Sequence, residues 1–303
     1  MVRGASDLAE SYGVSPLVVG LTVVAFGTSA PELVVNVVGA LQGQTALAFG
    51  NITGSNLANF GLVLGSAAVL SPIALEGKII RRELPLLLLA TAVLFTMTLD
   101  HTLRTSAAIL DRSDAIVMLL LFCIFIYIMV VDFLRREPDP LLTTVERMSK
   151  ARHLERRSDW ILIVAGIGGL ALGGQLTIDN CSDLATAMGV PPEIVGMLVV
   201  AIGTSLPELI TSIFAAMKGE ADLCVGNIIG SNIFNCMFVL PVSALIRPLA
   251  IPPGGSTDIF ISLAFSVVLI PIFIVGRGTM SRQIGVVFLL GYAGYMISRL
   301  YLS

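Results

Sequence analysis

The chain is short of charge: Asp, Glu, Lys and Arg together make up 13% of its 303 residues, while hydrophobic residues make up 55% and mean hydropathy is +0.92. A water-soluble globule needs roughly a quarter of its residues charged, so too little polar material is present to cover one. Histidine is nearly absent, and the two present, His101 and His153, fall in predicted loops. That leaves no nucleophile–base or metal constellation of the hydrolase type, so an enzyme is not expected. The four cysteines, Cys123, Cys181, Cys224 and Cys236, show neither CxxC nor Cys/His spacing, which points to packing rather than zinc or redox chemistry. A net charge of −3 offers no basic face for nucleic acid.

What the chain has in abundance is long apolar runs. They recur at about 15–40, 45–71, 83–100, 114–134, 160–176, 191–217, 222–246, 256–276 and 282–301, which predicts about nine transmembrane helices and an all-α polytopic membrane protein. The first run is too long for a signal peptide and carries Glu32 in its middle. Placing the polar loop 135–158 in the cytoplasm puts fourteen Lys/Arg inside and four outside. Without that loop the count is seven against four.

The chain also repeats itself. "GTSAPEL" at 27–33 returns as "GTSLPEL" at 203–209, and the same offset of 176 pairs "GNITGSNLAN" at 50–59 with "GNIIGSNIFN" at 226–235, "SDLA" at 6–9 with 182–185, and Pro72 with Pro248. Residues 1–75 and 177–251 share 33 identities without a gap, the mark of a duplication. An odd number of crossings separates the copies, so equivalent helices run in opposite directions. Inverted repeats with interrupted helices belong to secondary transporters, whose substrate sites lie near the midplane where the copies meet. The expected division is a first half, 1–134, a cytoplasmic linker, 135–158, and a second half, 159–303. Repeat two is preceded by the run at 160–176, for which repeat one has no counterpart; a ten-helix architecture lacking its first span is therefore expected.

Within each copy, polar groups share a helix face. Thr28 and Glu32 are four residues apart with Ser29 beside them, and Pro31 cannot bond the carbonyl of Gly27. Thr204, Ser205, Pro207 and Glu208 repeat the pattern. Ser55 with Asn59, and Ser231 with Asn235, are further pairs on single faces, while Gly50/Gly54 and Gly226/Gly230 allow close helix approach. Asp7 and Asp183 lie near span starts, where capping is their expected role. All of the candidate ligands are hard oxygens, the donor set of Ca²⁺, and two carboxylates neutralise one such ion inside the bilayer.

With these paired motifs the chain resembles the calcium/cation antiporter superfamily, of the prokaryotic sodium/calcium exchanger type, over nearly its whole length. The resemblance implies an inverted-repeat sodium/calcium exchanger fold and a central cluster of ion sites. Its acidic ligands correspond to Glu32 and Glu208. Thr28, Ser29, Thr204, Ser205, Ser55 and Ser231 would add oxygens, and Ala25 and Ala201 backbone carbonyls. Asn59 matches a common family asparagine. Asn235 stands where some members have Asp, leaving stoichiometry, potassium dependence and proton involvement open. In the family the missing first span pairs with the helix matching 160–176 as the sliding gate. The implied activity is exchange of calcium for sodium by alternating access, without a cofactor, in the inner cell membrane. Proton-coupled cation exchange is the nearest alternative, and a cation channel a more distant one.

Overall fold

A computed structural model describes residues 16–74, 79–99, 108–134, 161–169, 172, 199–276 and 278–302. The SDLA pair, the loop 135–158, Cys181 and both histidines lie outside the described residues, as do residues 160, 170, 171 and 173–176 of the run at 160–176. The expected count of about nine spans also reaches into those segments, so it has no structural counterpart to be set against.

The first apolar run is not one helix but two. Helix α1 passes from Pro16–Val19 through a π-helical turn, Gly20–Val24, to Ala25–Thr28; α2 is Ala30–Leu41. The two are bent by 44°. The break falls at Ser29 (φ −86°, ψ 9°), and Pro31 sits in the first turn of α2, where its missing N–H costs no helical hydrogen bond. Helix α3, Thr45–Leu70, follows after a tight turn at Gly43, whose φ of +81° suits glycine. The turn closes with Gly43 N–H on Ala40 O and Gln44 N–H on Gly39 O, a Schellman pair that folds α3 back against α2. A π-helical segment, Ile79–Glu83, leads into α4, Leu84–Thr98; α5 is Arg112–Leu134 and α6 a helical stretch at 161–169.

The second copy repeats the plan. Helices α7, Ala201–Thr204, and α8, Leu206–Met217, meet at Ser205, and Gly219 (φ +81°) makes the same turn into α9, Ala221–Ile246. Helices α10, Gly255–Val275, and α11, Arg282–Leu302, complete the chain. Both long central helices contain a π-helical segment opening on an asparagine of the repeat, Asn59–Leu64 in α3 and Asn235–Val239 in α9. Single π-turns inside α-helices gather at functional sites.

Short antiparallel ribbons tie the two copies together crosswise. Strand β1, Ile73–Ala74, pairs with β4, Thr279–Met280; β2, Ile109–Leu110, pairs with β3, Leu249–Ala250. Each ribbon joins the end of one repeat's central helix to the start of the other half's last helix.

Burial runs opposite to that of a protein in water. On α2, Glu32, Asn36, Gly39 and Ala40 are buried, while Val34, Val38 and Leu41 are exposed at 60%, 43% and 67%. On α8, Glu208, Thr211 and Ser212 are inside; Phe214 and Met217 face out. Helices α5, α10 and α11 present apolar stripes such as Ile116, Leu120 and Ile124 outward, whereas α3 and α9 are enclosed along most of their length. Apolar surface of this extent is stable only against lipid, so the chain is an integral, multi-pass membrane protein. At the centre, α1 and α9 approach to backbone contact. A Cβ added at Gly226 would lie 2.8 Å from Leu17 O, and one at Gly230 2.6 Å from Leu21 O, which is what the small-residue face makes possible.

Candidate functional site

All twelve residues singled out in the sequence come to the centre, contributed by α1–α2, α3, α7–α8 and α9. Glu32, Glu208, Ser29, Ser55, Asn59, Thr204, Ser231 and Asn235 are fully buried, and Thr28 and Ser205 nearly so. The helix breaks put each glutamate in the first turn of its second segment, where the amide ends of that helix favour negative charge.

Contacts across the centre join the two copies. Ser29 donates to Glu208 Oε1 at 2.8 Å, and Ser231 reaches the same oxygen at 3.3 Å. Thr28 donates to Asn227 Oδ1 at 3.1 Å, and its counterpart Thr204 donates to Asn51 Oδ1 at 3.2 Å. Ser55 lies 3.2 Å from the Thr204 hydroxyl and 3.4 Å from Ala201 O. The asparagines cross: Asn59 Nδ2 donates to Asn232 Oδ1 at 2.9 Å and Asn235 Nδ2 to Asn56 Oδ1 at 3.1 Å.

After these bonds are made, several buried oxygens have no partner: both carboxylate oxygens of Glu32, Oε2 of Glu208, Oδ1 of Asn59, Oδ1 of Asn235 and Oγ of Ser205. Buried polar atoms are ordinarily satisfied, so this concentration of acceptors is exceptional. Acceptors without donors are what a hard cation requires, and a divalent ion would satisfy both charges. The carbonyls of Ala25 and Ala201 are differently placed. Ala25 O accepts from Ser29 N at 3.0 Å and Ala201 O from Ser205 N at 3.1 Å, so both are engaged in hydrogen bonds; the Thr204 hydroxyl, whose one proton goes to Asn51, lies 3.2 Å from Ala201 O.

The residues that make these contacts all lie within the parts of the chain that a family model matches. A profile of the sodium/calcium exchanger protein family matches residues 1–131 and 158–301. The chain belongs to that family. The exchanger is 35% identical to the putative antiporter CaxA of Alkalimonas amylolytica, over 97% of this chain and 91% of that protein. It is 38% identical to the inner membrane protein YrbG of Escherichia coli, over 88% and 81% of the two chains. It is also 28% identical to the sodium/calcium exchanger MaX1 of Methanosarcina acetivorans, over 99% and 93%. Among solved structures, the sodium-calcium exchanger NCX_Mj superposes with a TM-score of 0.81 at 27% identity, covering 98% of this chain and 92% of its own. The exchanger fold and cation antiport follow, and the protein is a transporter rather than an enzyme.

Sequence reasoning passed over Asn51, Asn56, Asn227, Asn232 and Asn36, all buried beside the site. The signal for two of them was present: Asn51, Ser55 and Asn59 form a single four-residue stripe, as do Asn227, Ser231 and Asn235. Asn36 gave none, since repeat two has Ser212 in its place. Among the described residues no three of His, Cys, Asp and Glu gather, so any cation here must rely largely on neutral oxygens.

Proposed function

We propose that the exchanger moves Ca²⁺ in one direction and Na⁺ in the other by alternating access, with Glu32 and Glu208 as the charged ligands of a shared central site. The observation that carries this reading is the set of buried, unpartnered oxygens on Glu32, Glu208, Asn59, Asn235 and Ser205. Thr28, Thr204, Ser29, Ser55 and Ser231 complete the candidate oxygen set, and the carbonyls of Ala25 and Ala201 join it through the lone pair that their backbone hydrogen bonds leave. Residues 1–134 and 159–303, joined by the cytoplasmic loop 135–158, act as the two halves between which the site lies. The likeness to YrbG, which is named an inner membrane protein, supports the inner membrane as the chain's location.

Ion competition follows from charge. Two unneutralised carboxylates in a low-dielectric centre oppose passage of the empty site, whereas Ca²⁺ or Na⁺ relieves that cost. Coupling needs no nucleotide, because the ion gradients supply the driving force.

The test is uptake of ⁴⁵Ca²⁺ into vesicles loaded with Na⁺. Uptake should require the outward Na⁺ gradient and disappear in Glu32→Gln and Glu208→Gln. Uptake driven by a pH gradient without Na⁺ would instead make the proton the counter-ion. Unaltered uptake in both variants would remove the two glutamates from the mechanism.

A further inference from the structure

The unpartnered oxygens of the site face a chemical ambiguity that the carboxylates do not share. An asparagine can turn either its carbonyl or its NH₂ toward a cation, and a threonine can offer a lone pair or have it taken by a donor. Only one orientation of each binds. What holds that orientation must lie behind the site, and hydrogen-bonded chains of directional groups lie there.

The first chain starts at a backbone carbonyl, which can only accept. Asn36 Nδ2 donates to Ala48 O at 3.0 Å, and this turns Asn36 Oδ1 toward Asn51, whose Nδ2 donates to it at 2.7 Å. Asn51 must then present Oδ1 to Thr204, which donates to it at 3.2 Å. Were Asn51 reversed, its NH₂ would occupy a lone pair of Thr204. All three side chains are buried, so water cannot substitute for a lost partner.

The second chain is the asparagine cross. Asn232 Nδ2 points to the carbonyl of Asn56 at 3.5 Å, leaving Asn232 Oδ1 to receive Asn59 Nδ2. Asn59 Oδ1 is thereby the end left open. In the other arm, Asn56 Nδ2 donates to Cys236 Sγ at 3.0 Å, so that Asn56 Oδ1 receives Asn235 Nδ2 and Asn235 Oδ1 stays open. Cys236 has no equivalent in repeat one, where Phe60 occupies its place.

We propose that Asn36, Asn51, Asn56, Asn232 and Cys236 are positioning residues: without meeting the ion, they fix the polarity of Thr204, Asn59 and Asn235 so that oxygen faces the cation. This rests on the reading of those oxygens as ligands. Two links start at a backbone carbonyl, which can only accept, and the third at the Cys236 sulfur, whose S–H is a poorer donor than the Asn56 amide; both arms of the cross end on an open carbonyl.

The test compares substitutions that keep an acceptor with those that remove it, in ⁴⁵Ca²⁺ exchange by purified protein in Na⁺-loaded vesicles. Asn36→Leu deletes the acceptor for Asn51; Asn36→Ser restores one, as Ser212 does for Asn227 Nδ2 at 3.0 Å in the second repeat. Cys236→Ala and Cys236→Ser form a smaller pair that changes volume little. The apparent KM for Ca²⁺ should rise about tenfold in Asn36→Leu, the usual cost of losing a group that orients a ligand, with kcat within about twofold. It should rise less in Cys236→Ala and return toward the parent value in both serine variants. Equal shifts in the serine and apolar variants, or none in any of them, would overturn the proposal. Glu32→Gln is measured beside them. If it abolishes exchange while the KM values do not separate, the polarity chains fail and the ligand reading stands; if Glu32→Gln exchanges normally, the ligand reading itself has failed.

Discussion

Asn59 of the first repeat donates its amide to Asn232 of the second at 2.9 Å, across the centre of the molecule. The same bond runs in reverse between Asn235 and Asn56 at 3.1 Å. Two helices of opposite direction can exchange identical bonds in this way only about a twofold relation, so the cross is the inverted repeat written in side chains. It also places the open carbonyls of Asn59 and Asn235 at the meeting point of the two halves, between the two glutamates' helices.

Cation binding should stabilise the fold, because the site's unpaired acceptors and like charges are costs borne by the empty protein. At Ca²⁺ concentrations a hundred times the Kd the gain is about 2.7 kcal/mol, seen as a rise in the melting temperature of detergent-solubilised protein. Glu32→Gln removes half the charge and should abolish most of that rise. Its melting temperature without ions should equal or exceed the parent's, since a buried carboxylate with no partner on either oxygen is gone.

Gly230→Ala should destabilise the protein strongly. The added carbon would sit 2.6 Å from Leu21 O and 2.8 Å from Ala25 Cβ, and neither neighbour is the end of a flexible side chain. A cost of about 1–3 kcal/mol is expected for such overpacking. Gly291→Ala, whose Cβ would meet only Phe265 at 3.6 Å, is the control and should melt within a degree or two of the parent.

Asp258 is buried at the start of α10, where it accepts from the Tyr295 hydroxyl at 2.5 Å and pairs with Arg299 at 3.1 Å. Asp258→Ala leaves the guanidinium facing a site it no longer fits, and stability should fall by about 3 kcal/mol. Ca²⁺ affinity should be unchanged in the fraction that folds, because this cluster belongs to the α10–α11 contact and not to the central oxygens. Thermal unfolding and Ca²⁺ titration separate the two outcomes.

Cysteine pairs can report the crosswise ribbons. Ala74→Cys with Thr279→Cys, and Ile109→Cys with Ala250→Cys, occupy register partners and outward-facing positions, so each pair should cross-link under mild oxidation. Inversion of the repeats places the ribbons on opposite membrane faces. A membrane-impermeant thiol reagent added to right-side-out vesicles should therefore block one pair and spare the other.

Much of the site was legible because the duplication separates signal from background. One glutamate in an apolar run has several explanations; Glu32 and Glu208, each behind a proline and a Gly-Thr-Ser, have few. The interrupted helices were legible as well, though the break lies at Ser29 and Ser205 rather than at the prolines, which start the segments that follow. Asn36 and Asn56 were not legible as members of the buried hydrogen-bond network. An amide in a membrane helix has meaning only through its partner, and Ala48 O and Cys236 are partners that folding supplies. The π-helical turns at Asn59 and Asn235 likewise answer to packing, because no residue type demands them.

By itself the sequence determined the solvent, the inverted duplication and the chemistry of the candidate oxygens, since hydropathy, offset and residue type are local properties that survive without coordinates. Only the tertiary structure decided which oxygens remain open and which are consumed. That outcome depends on donors arriving from the opposite repeat: Ser29 and Ser231 hold Glu208, no hydrogen-bond partner reaches Glu32, and the amides of Asn56 and Asn232 turn two carbonyls toward the centre.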